Sequence, residues 1–291
     1  MNFSSFLEKI FMLSIDTLFS LIPRRIPDGK SLKECKLVSH RGDHDGNKTL
    51  IENTMAAFDR VLDNHIWGLE FDIRWTRDLI PVVVHDEDLM RLFGSPLKVR
   101  NLTFEQLRND FPLIPSLEEV INKYGEPLHL FAEIKKEVYP DPGFQNTCLT
   151  RLFAGLEPVK DYHVLSLSPE MFTVINFAPE YSFVPVAETN IREMSRLALE
   201  HNFGGVCGHY LMLTDEITKK HHDKGQQTGT GYTASANCLF NEINRGTDWI
   251  FSNNAVKIQK IIDKYTQRDS ADNADNRAGH AGGKGTGKYG P

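Results

Sequence analysis

Two carboxylates separated by one residue, Glu70 and Asp72, are the first feature of the sequence that suggests chemistry. Leu69, Phe71 and Ile73 alternate with them, and this period of two is typical of a β-strand with unlike faces. Carboxylates on one face repel each other and resist burial, so a positive group has to compensate them. A divalent cation held by oxygen atoms would do so. A solvated acidic face on an exposed edge strand is the alternative that these five residues leave open.

Three further predicted strands also carry polar side chains toward their C-terminal ends: Leu37–Arg41, Pro81–His85 and His129–Lys135. With the acidic strand, the residues concerned are His40, Arg41, Glu70, Asp72, His85, Glu133 and Lys135. Only a few residues join the acidic strand to Pro81–His85, which is too few for a crossover helix. These two strands are therefore predicted to form an antiparallel hairpin that brings His85 beside Glu70.

Strand and helix patterns alternate through the rest of the chain. The remaining strand candidates are His163–Leu167, Ser182–Ala187, Gly205–Gly208, Gln227–Tyr232 and Trp249–Ser252. Without the hairpin partner there are eight strands over about 230 residues, which predicts an α/β fold: a (β/α)8 TIM barrel with a β-hairpin after the second barrel strand. An open doubly wound sheet is the runner-up, but no glycine-rich dinucleotide fingerprint follows the first strand. In such a barrel the strand ends listed above would converge on one rim.

Caps and periodicity predict the helices. Thr103–Gln106 and Ser116–Glu119 are capping boxes, and Asn53 is expected to cap a helix that runs to about Asn64. Ser168-Pro169 is expected to open another helix. Helical patterns fill Ile191–His201, Thr214–Asp223, Cys238–Arg245 and Val256–Tyr265.

The chain divides into three segments: an N-terminal amphipathic helix within residues 1–30, a barrel over 31–266, and a disordered polar tail over 267–291. Residues 1–22 carry an apolar stripe that Asp16 interrupts, so the uncharged run is too short to span a bilayer. Arg24 and Arg25 follow at once. Two interpretations stay open: a helix lying on an anionic membrane surface, or a helix packed on the barrel.

Composition excludes some classes of function. The 291 residues are 40% hydrophobic and 25% charged, as in ordinary soluble proteins, and the formal net charge of −6 disfavours nucleic-acid binding. The four cysteines are far apart and form no CxxC pair, which argues against a disulfide framework and a zinc site. We therefore expect a reducing compartment, with a cytoplasmic location that includes peripheral contact with the inner face of the membrane.

From about Leu37 to Asp263 the sequence resembles the glycerophosphodiester phosphodiesterase family. The matching segments are His40–Gly42, Glu52–Thr54, Glu70–Asp72, Asp78 with Pro81–Asp86, Ile114–Glu119 and Glu133–Lys135. Their common order and spacing make the resemblance specific. It implies a barrel hydrolase of lipid metabolism that uses Ca²⁺ or Mg²⁺ to cleave small glycerophosphodiesters to glycerol 3-phosphate and an alcohol.

The resemblance also assigns roles by motif. Glu70, Asp72 and Glu133 would hold the metal, and His40 and His85 would form the acid–base pair. Arg41, Lys135, Glu52 and Tyr232 would bind substrate. The sequence departs from the family at Leu167, at Ala234-Ser235 and at Ser252-Asn253, which bear on the pocket wall and the alcohol side. Two other functions therefore stay open: a lysophospholipase D acting on membrane lysolipids, and an inactive barrel that binds phosphodiesters or lipid headgroups.

Other polar residues are expected to have structural roles. His129 lies deeper in the strand that carries Glu133, so it is expected to be a packed interior residue. His44, His221 and His222 stand in polar surroundings and are expected to be solvated. Arg74 shares the inward parity of Asp72, but it lies near the hairpin turn, where a surface charge is equally expected.

Overall fold

The computed structural model describes residues 17 and 19–281, and for 269–281 it describes the backbone alone. The strands are β1 (Lys36–His40), β2 (Gly68–Trp75), β3 (Pro81–Val83), β4 (His129–Ile134), β5 (Tyr162–Ser166), β6 (Phe183–Pro185), β7 (Gly205–His209), β8 (Gln227–Gly231) and β9 (Trp249–Ser252). Eight of them are parallel in the order β6-β5-β4-β2-β1-β9-β8-β7, and a bridge from Val186 to Cys207 joins the two ends. The predicted barrel is confirmed as a nearly closed one, and β3 pairs antiparallel with β2 as the predicted hairpin.

Helices cover the outside of this barrel. They are α1 (Gly29–Lys33), α2 (Met55–Asp63), α3 (Met90–Phe93), α4 (Phe104–Asp110), α5 (Leu117–Tyr124), α6 (Pro142–Phe153), α7 (Ile191–Glu200), α8 (Asp215–His222), α9 (Ala236–Asn244) and α10 (Ala255–Ala281). Both predicted capping boxes are confirmed, at the starts of α4 and α5. Ser168-Pro169 opens a 3₁₀ helix, Pro169–Thr173, instead of an α-helix.

Alternate residues of the strands fill two separate layers. The barrel interior contains Val38, Phe131, Leu165, Val184, Cys207, Trp249 and Phe251. On the other face, Leu69, Phe71 and Ile73 of β2 pack in the larger apolar layer beneath the helices. Both faces of β2 are thus buried, and the alternative of an exposed edge strand is wrong.

The N-terminal helix prediction falls mostly on residues 1–16 and 18, which lie outside the described residues. In the described part, the Phe19 ring contacts Tyr210 with centroids 5.3 Å apart, and Asn237 Nδ2 donates to the Ser20 carbonyl at 2.7 Å. Tyr210 directly follows β7 and Asn237 lies in the first turn of α9, so the chain reaches the barrel at the C-terminal ends of its strands. Within the described ranges, no helix combines the length and apolar character needed to cross a membrane.

The C-terminal segment differs from its prediction. Helix α10 continues to Ala281, into the segment 267–291 expected to be a disordered tail, and residues 282–291 lie outside the described residues. Ile258 and Ile262 anchor the start of α10 in the apolar layer. Once a helix is anchored in this way, adding further residues costs little, because the unfavourable nucleation step is already complete.

Candidate active site

The polar residues singled out in the sequence meet at the C-terminal ends of β1, β2 and β4. In the parallel ladders His40 is the Cα partner of Glu70, and Asp72 is the Cα partner of Glu133. Partners in parallel strands point to the same face of a sheet, and here that face is the barrel interior. Lys135 directly follows β4 and joins the same group.

Glu70, Asp72 and Glu133 form a cluster of buried carboxylates whose ligand oxygens lie within 4.8 Å of one another. Burial raises the pKa of Glu70 well above its usual range, and the charges of Asp72 and Glu133 raise it further. Burial also raises the pKa of Glu133, although the Lys135 ammonium opposes that effect. Glu70 Oε1 is buried without a hydrogen-bond partner in the described part of the chain.

Two cations lie against this carboxylate cluster. Arg41 Nε is 3.2 Å from Asp72 Oδ2, and the Arg41 backbone N–H donates to Glu70 Oε2 at 3.0 Å. Lys135 Nζ lies 2.7 Å from Asp72 Oδ1 and 2.5 Å from Glu133 Oε1. Burial raises the pKa of Asp72, but the charges of Lys135 and Arg41 outweigh it and hold that pKa below its usual range. Asp72 is therefore the ionised member of the cluster, and Glu70 is the member that most readily binds a proton.

His40 ends β1 with its Nδ1 2.5 Å from Asn253 Oδ1 and its Nε2 3.7 Å from Glu70 Oε2. An amide oxygen only accepts hydrogen bonds, so Nδ1 carries the hydrogen and Nε2 of the neutral ring presents a lone pair. Burial lowers the pKa of His40 to about 4, and the charge of Arg41 adds to this effect. His40 is thus uncharged near neutral pH, which is the state that a proton acceptor needs.

His85 approaches from the hairpin, two residues after β3. Its Nδ1 lies 2.7 Å from Asp86 Oδ1, and its carbonyl accepts a hydrogen bond from Arg74 Nε at 2.8 Å. A carboxylate oxygen only accepts, so Nδ1 donates and Nε2 remains for proton transfer. Arg74 therefore supports the main chain of His85 and is largely buried instead of being a surface charge.

Glu52 is buried, and protein groups engage both of its carboxylate oxygens. Arg91 donates two hydrogen bonds to it at 2.6 and 3.0 Å, Arg41 donates one at 3.1 Å and Asn47 one at 2.7 Å. Burial raises the pKa of Glu52, but these bonds and charges outweigh it and lower the pKa to about 2. Glu52 was expected among the substrate-binding residues, and the structure shows it as the common partner of two arginines.

Asn53 has a role that the sequence analysis missed. The expectation that it caps α2 is wrong, because Thr54 is the N-cap and its side chain accepts from the Ala57 N–H. The Asn53 side chain instead donates to Asp72 Oδ2 at 2.7 Å. Its backbone has φ of 56°, a left-handed conformation that asparagine adopts more readily than most residues.

The turn after β1 depends on one glycine. Arg41 and Gly42 have φ of 59° and 80°, both left-handed. A Cβ atom on Gly42 would lie 2.8 Å from the Ala57 Cβ and 2.9 Å from Phe58 Cδ1, closer than any side chain tolerates. This close approach to α2 places Arg41 beside both Glu52 and the carboxylate cluster.

Tyr232, His129 and His221 differ in their surroundings. Tyr232 follows β8, is 56% exposed, and has its ring 5.1 Å from that of His209. His129 is a buried interior residue as expected, with Nε2 2.8 Å from His163 Nδ1. His221 was expected to be solvated, but it is fully buried between Ser195 Oγ and Gln226 Oε1. The neighbouring Lys220, His222 and Asp223 are exposed, whereas His221 itself points inward to these two partners.

The donor set fits a hard divalent cation. Carboxylate oxygens are the ligands that Ca²⁺ and Mg²⁺ prefer, and Glu70, Asp72 and Glu133 supply them from two rigid adjacent strands. Glu70 Oε1 has no protein partner, and the raised pKa values of Glu70 and Glu133 show that the cluster lacks positive charge. A bound cation would supply that charge in place of protons.

Part of the sequence is similar to a known protein family and to curated proteins. Residues 40–159 match the model of the Glycerophosphoryl diester phosphodiesterase family. Glycerophosphodiester phosphodiesterase 1 of Bos taurus is 32% identical over 142 residues, which cover 42% of this chain and 41% of the bovine protein. Lysophospholipase D GDPD3 of Homo sapiens is 37% identical over 94 residues, which cover 32% of this chain and 26% of that protein. The matches thus span less than half the length of these curated relatives.

The fold is also similar to solved structures. That of an Oleispira antarctica phosphodiesterase in complex with the product sn-glycerol-3-phosphate has a TM-score of 0.62, over 82% of this chain and 97% of that one. At 18% identity this likeness shows the barrel fold alone. The segment that matches the family model contains the carboxylate cluster together with its cations and both histidines, from His40 to Lys135. Through residues 40–159, the chain resembles the glycerophosphoryl diester phosphodiesterase family.

Proposed function

We propose that the protein is a metal-dependent phosphodiesterase that hydrolyses glycerophosphodiesters to glycerol 3-phosphate and an alcohol. The observation that carries this proposal is the convergence of three buried carboxylates, two cations and two hydrogen-bonded histidines at one end of the barrel. A phosphodiester is an anion, so its hydrolysis needs positive charge around the non-bridging oxygens. The product complex of the Oleispira antarctica phosphodiesterase supports glycerol phosphate as the group recognised.

Glu70, Asp72 and Glu133 would hold the cation, either Ca²⁺ or Mg²⁺. When bound, the cation supplies charge to the phosphate oxygens and orients the substrate. Arg41 and Lys135 lie against the same carboxylates and add two further positive charges to the site. Asn53, through its hydrogen bond to Asp72, holds that carboxylate in place.

The two histidines would transfer protons in opposite directions. We assign His40 as the acceptor, because its Nδ1 hydrogen is bound by the neutral Asn253 and its Nε2 carries a lone pair. We assign His85 as the donor, because the Asp86 carboxylate holds its Nδ1–H and leaves Nε2 as the atom that would give up the proton. Attack by a glycerol hydroxyl, giving a cyclic phosphate that water then opens, and direct attack by water both use this pair.

The substrate-binding assignments follow from the same geometry. Arg41 and Lys135 would contact phosphate oxygens, and Tyr232 on the exposed rim would contact the alcohol side. For Glu52 we propose an indirect role, since both its oxygens are occupied by Arg41, Arg91 and Asn47.

The test is turnover of glycerophosphocholine, followed by the release of glycerol 3-phosphate and choline. We expect activity that EDTA abolishes and that Ca²⁺ or Mg²⁺ restores. His40→Ala and His85→Ala should each lower kcat by about 10² to 10⁴-fold, the usual contribution of a positioned acid or base. The matched control is His65→Asn, at an exposed residue. Activity insensitive to EDTA would refute the metal assignment, and binding without turnover would favour an inactive headgroup-binding barrel.

A second candidate substrate is a membrane lysolipid, and one observation favours it. Exposed aliphatic side chains lie on segments near the C-terminal ends of the strands: Leu167 and Val138 follow β5 and β4, and Leu21 and Ile22 lie where the N-terminal segment meets α9. Their exposed fractions range from 37% to 72%. Lysophospholipase D GDPD3 of Homo sapiens is a relative whose name fits this substrate class. We accordingly propose peripheral contact with the inner face of the membrane and a cytoplasmic location.

Vesicle flotation tests this second candidate. The intact chain should float with anionic vesicles, and a chain lacking residues 1–22 should float less while keeping its activity on glycerophosphocholine. Arg24 and Arg25 should add about 1 kcal/mol each to binding, and salt should weaken that part. If the intact chain does not float, the membrane contact is refuted. A truncated chain that melts at a lower temperature and aggregates would instead indicate a helix packed on the barrel.

A further inference from the structure

Neither the motifs nor the mechanism above assigns a role to Arg91. Its side chain connects the loop that follows His40 to the insert that carries His85. It lies on the single-turn helix α3, in the insert that follows the hairpin. Its Nη1 and Nη2 donate to Glu52 at 3.0 and 2.6 Å, and its Nε donates to Asp86 Oδ2 at 2.6 Å. Asp86 binds His85 at 2.7 Å, and Glu52 binds Arg41, the residue next to His40.

We propose that Arg91 is a positioning residue for the reaction: it sets the distance between the loop that follows His40 and the insert that carries His85. This inference rests on the proposed phosphodiesterase function. In it, Arg91 touches neither substrate nor cation. It acts through Asp86 on the orientation of the His85 ring, and through Glu52 on the orientation of Arg41.

The guanidinium group suits this task better than any other side chain. Its planar fork matches one carboxylate with two parallel N–H groups, and the third N–H points to a different acceptor. Arg91 uses this geometry on Glu52 and Asp86 at once. A lysine ammonium is a compact charge on a flexible stem, so it lacks the fork that would hold both carboxylates in fixed directions.

The insert is a separately packed body, so its position relative to the barrel has to be set by specific contacts. It has its own apolar cluster, which comprises Val82, Val84, Leu89, Val99, Leu102, Leu107 and Ile114. Leu89, two residues before Arg91, is almost fully buried in that cluster. The main chain at Arg91 is therefore attached to a well-packed part of the insert. A side chain attached in this way can fix the position of the insert, and with it that of His85.

A purely stabilising role would not require this geometry. The Arg91 side chain is 44% exposed, and only its Glu52 partner is buried. Glu52 keeps Arg41 and Asn47 as partners when Arg91 is removed. Among the described residues, the Asp86 carboxylate pairs with His85 and Arg91 alone, so it has no such substitute. Loss of Arg91 should therefore be felt mainly at His85.

Kinetics of Arg91→Met and Arg91→Lys give the first test, with glycerophosphocholine as substrate. We expect kcat to fall about 100-fold in Arg91→Met with KM little changed, because a displacement of about 1 Å at a catalytic group has an effect of this size. Arg91→Lys should restore only part of kcat. Adding Asp86→Asn to Arg91→Met should lower kcat little further, since both changes act on the same histidine. The matched control is Arg100→Met, an exposed arginine of the same insert that pairs with Glu87.

NMR of ¹⁵N-labelled histidines gives a second test that needs no turnover. The wild-type spectrum should show a protected, downfield Nδ1 proton on the His85 ring, assigned through His85→Gln. That signal should be lost in Arg91→Met and kept in Arg100→Met. An unchanged His85 signal, or an unchanged kcat in folded Arg91→Met, overturns the proposal. If wild-type protein has no turnover, the proposed function fails while the NMR result still decides the role of Arg91; if Arg91→Met does not fold, Arg91→Lys decides it.

Discussion

At the scale of single residues, the carboxylate cluster is short of positive charge. Arg41 and Lys135 engage Asp72 and Glu133, but Glu70 Oε1 has no partner among the described residues. Glu70 and Glu133 therefore bind protons more readily than ordinary carboxylates, as their raised pKa values show. Protons and a divalent cation would therefore compete for the same oxygens.

This competition predicts how cation affinity depends on pH. Because the pKa values of Glu70 and Glu133 are raised, both carboxylates release protons only as the pH rises through those values, so affinity for Ca²⁺ should increase with pH above the usual carboxyl range. Glu70→Gln should weaken binding and flatten its pH dependence. Isothermal titration with Ca²⁺ at several pH values measures both effects. Glu34→Gln, at an exposed glutamate, is the control, and equal affinity in Glu70→Gln would refute the assignment.

The sequence pointed to the residues proposed to act in catalysis, but it did not point to those proposed to orient them. His40, Glu70 and Glu133 stand at strand ends, where periodicity and motif order point to them. Asn53 and Arg91 reveal their roles only through partners 19 to 39 positions away in the chain, at Asp72 and Glu52. Local pattern carries no information about such contacts, because the fold alone brings the partners together.

At the scale of elements, the strands were predictable, but helices α1, α3 and α6 were not. The strands have period two or a short apolar run, and their number and spacing fix the barrel. Helix α6 has Gln145 and Asn146 on its buried side in place of apolar residues, so the usual 3.6-residue pattern is weak. The Asn146 side chain donates hydrogen bonds there to the carbonyls of Pro142 and Val174. The sequence alone does not predict these bonds.

The turn between β1 and α2 offers a test at this scale. Gly42 and Gly46 both have left-handed φ, of 80° and 76°, but only Gly42 lies against other atoms. Gly46→Ala should destabilise the fold by about 1–2 kcal/mol from backbone conformation alone. Gly42→Ala should cost a further 1–3 kcal/mol or so, because its Cβ would overlap Ala57. Urea unfolding of the two variants measures the difference, and equal destabilisation would show that the contact with α2 is unimportant.

At the scale of the whole molecule, the barrel has two polar ends of different kinds. The C-terminal end carries the charged cluster, whereas the other end holds an uncharged pair, His129 and His163. His129 Nδ1 lies 2.9 Å from the Lys160 carbonyl, so it donates, and its Nε2 accepts from His163 Nδ1 at 2.8 Å. Trp67 stacks on His129 with centroids 4.5 Å apart, and both imidazoles are buried. The pair is held in one neutral tautomer each.

This neutral pair should make the folded barrel sensitive to acid. Burial lowers the pKa of His129 to about 4 and lowers that of His163 well below its usual range. The unfolded chain binds protons at these histidines below about pH 6.5, while the folded chain does not until the pH passes through the lowered values. The free energy of unfolding should therefore fall as the pH drops from about 6.5 to 4, by roughly 3 kcal/mol for His129 alone.

The double variant His129→Asn, His163→Asn isolates this effect. Asparagine keeps a donor near each Nδ1 position but cannot take up a proton, so its free energy of unfolding should change much less between pH 6.5 and 4 than that of the wild type. Ionisation of Glu70 and Glu133 works in the opposite direction in both proteins, because their raised pKa values favour the folded state at low pH, and so it cancels in the comparison. His65→Asn, at an exposed residue with φ of 55°, is the control. Parallel pH profiles for wild type and double variant, measured by urea unfolding, would show that the pair does not govern acid stability.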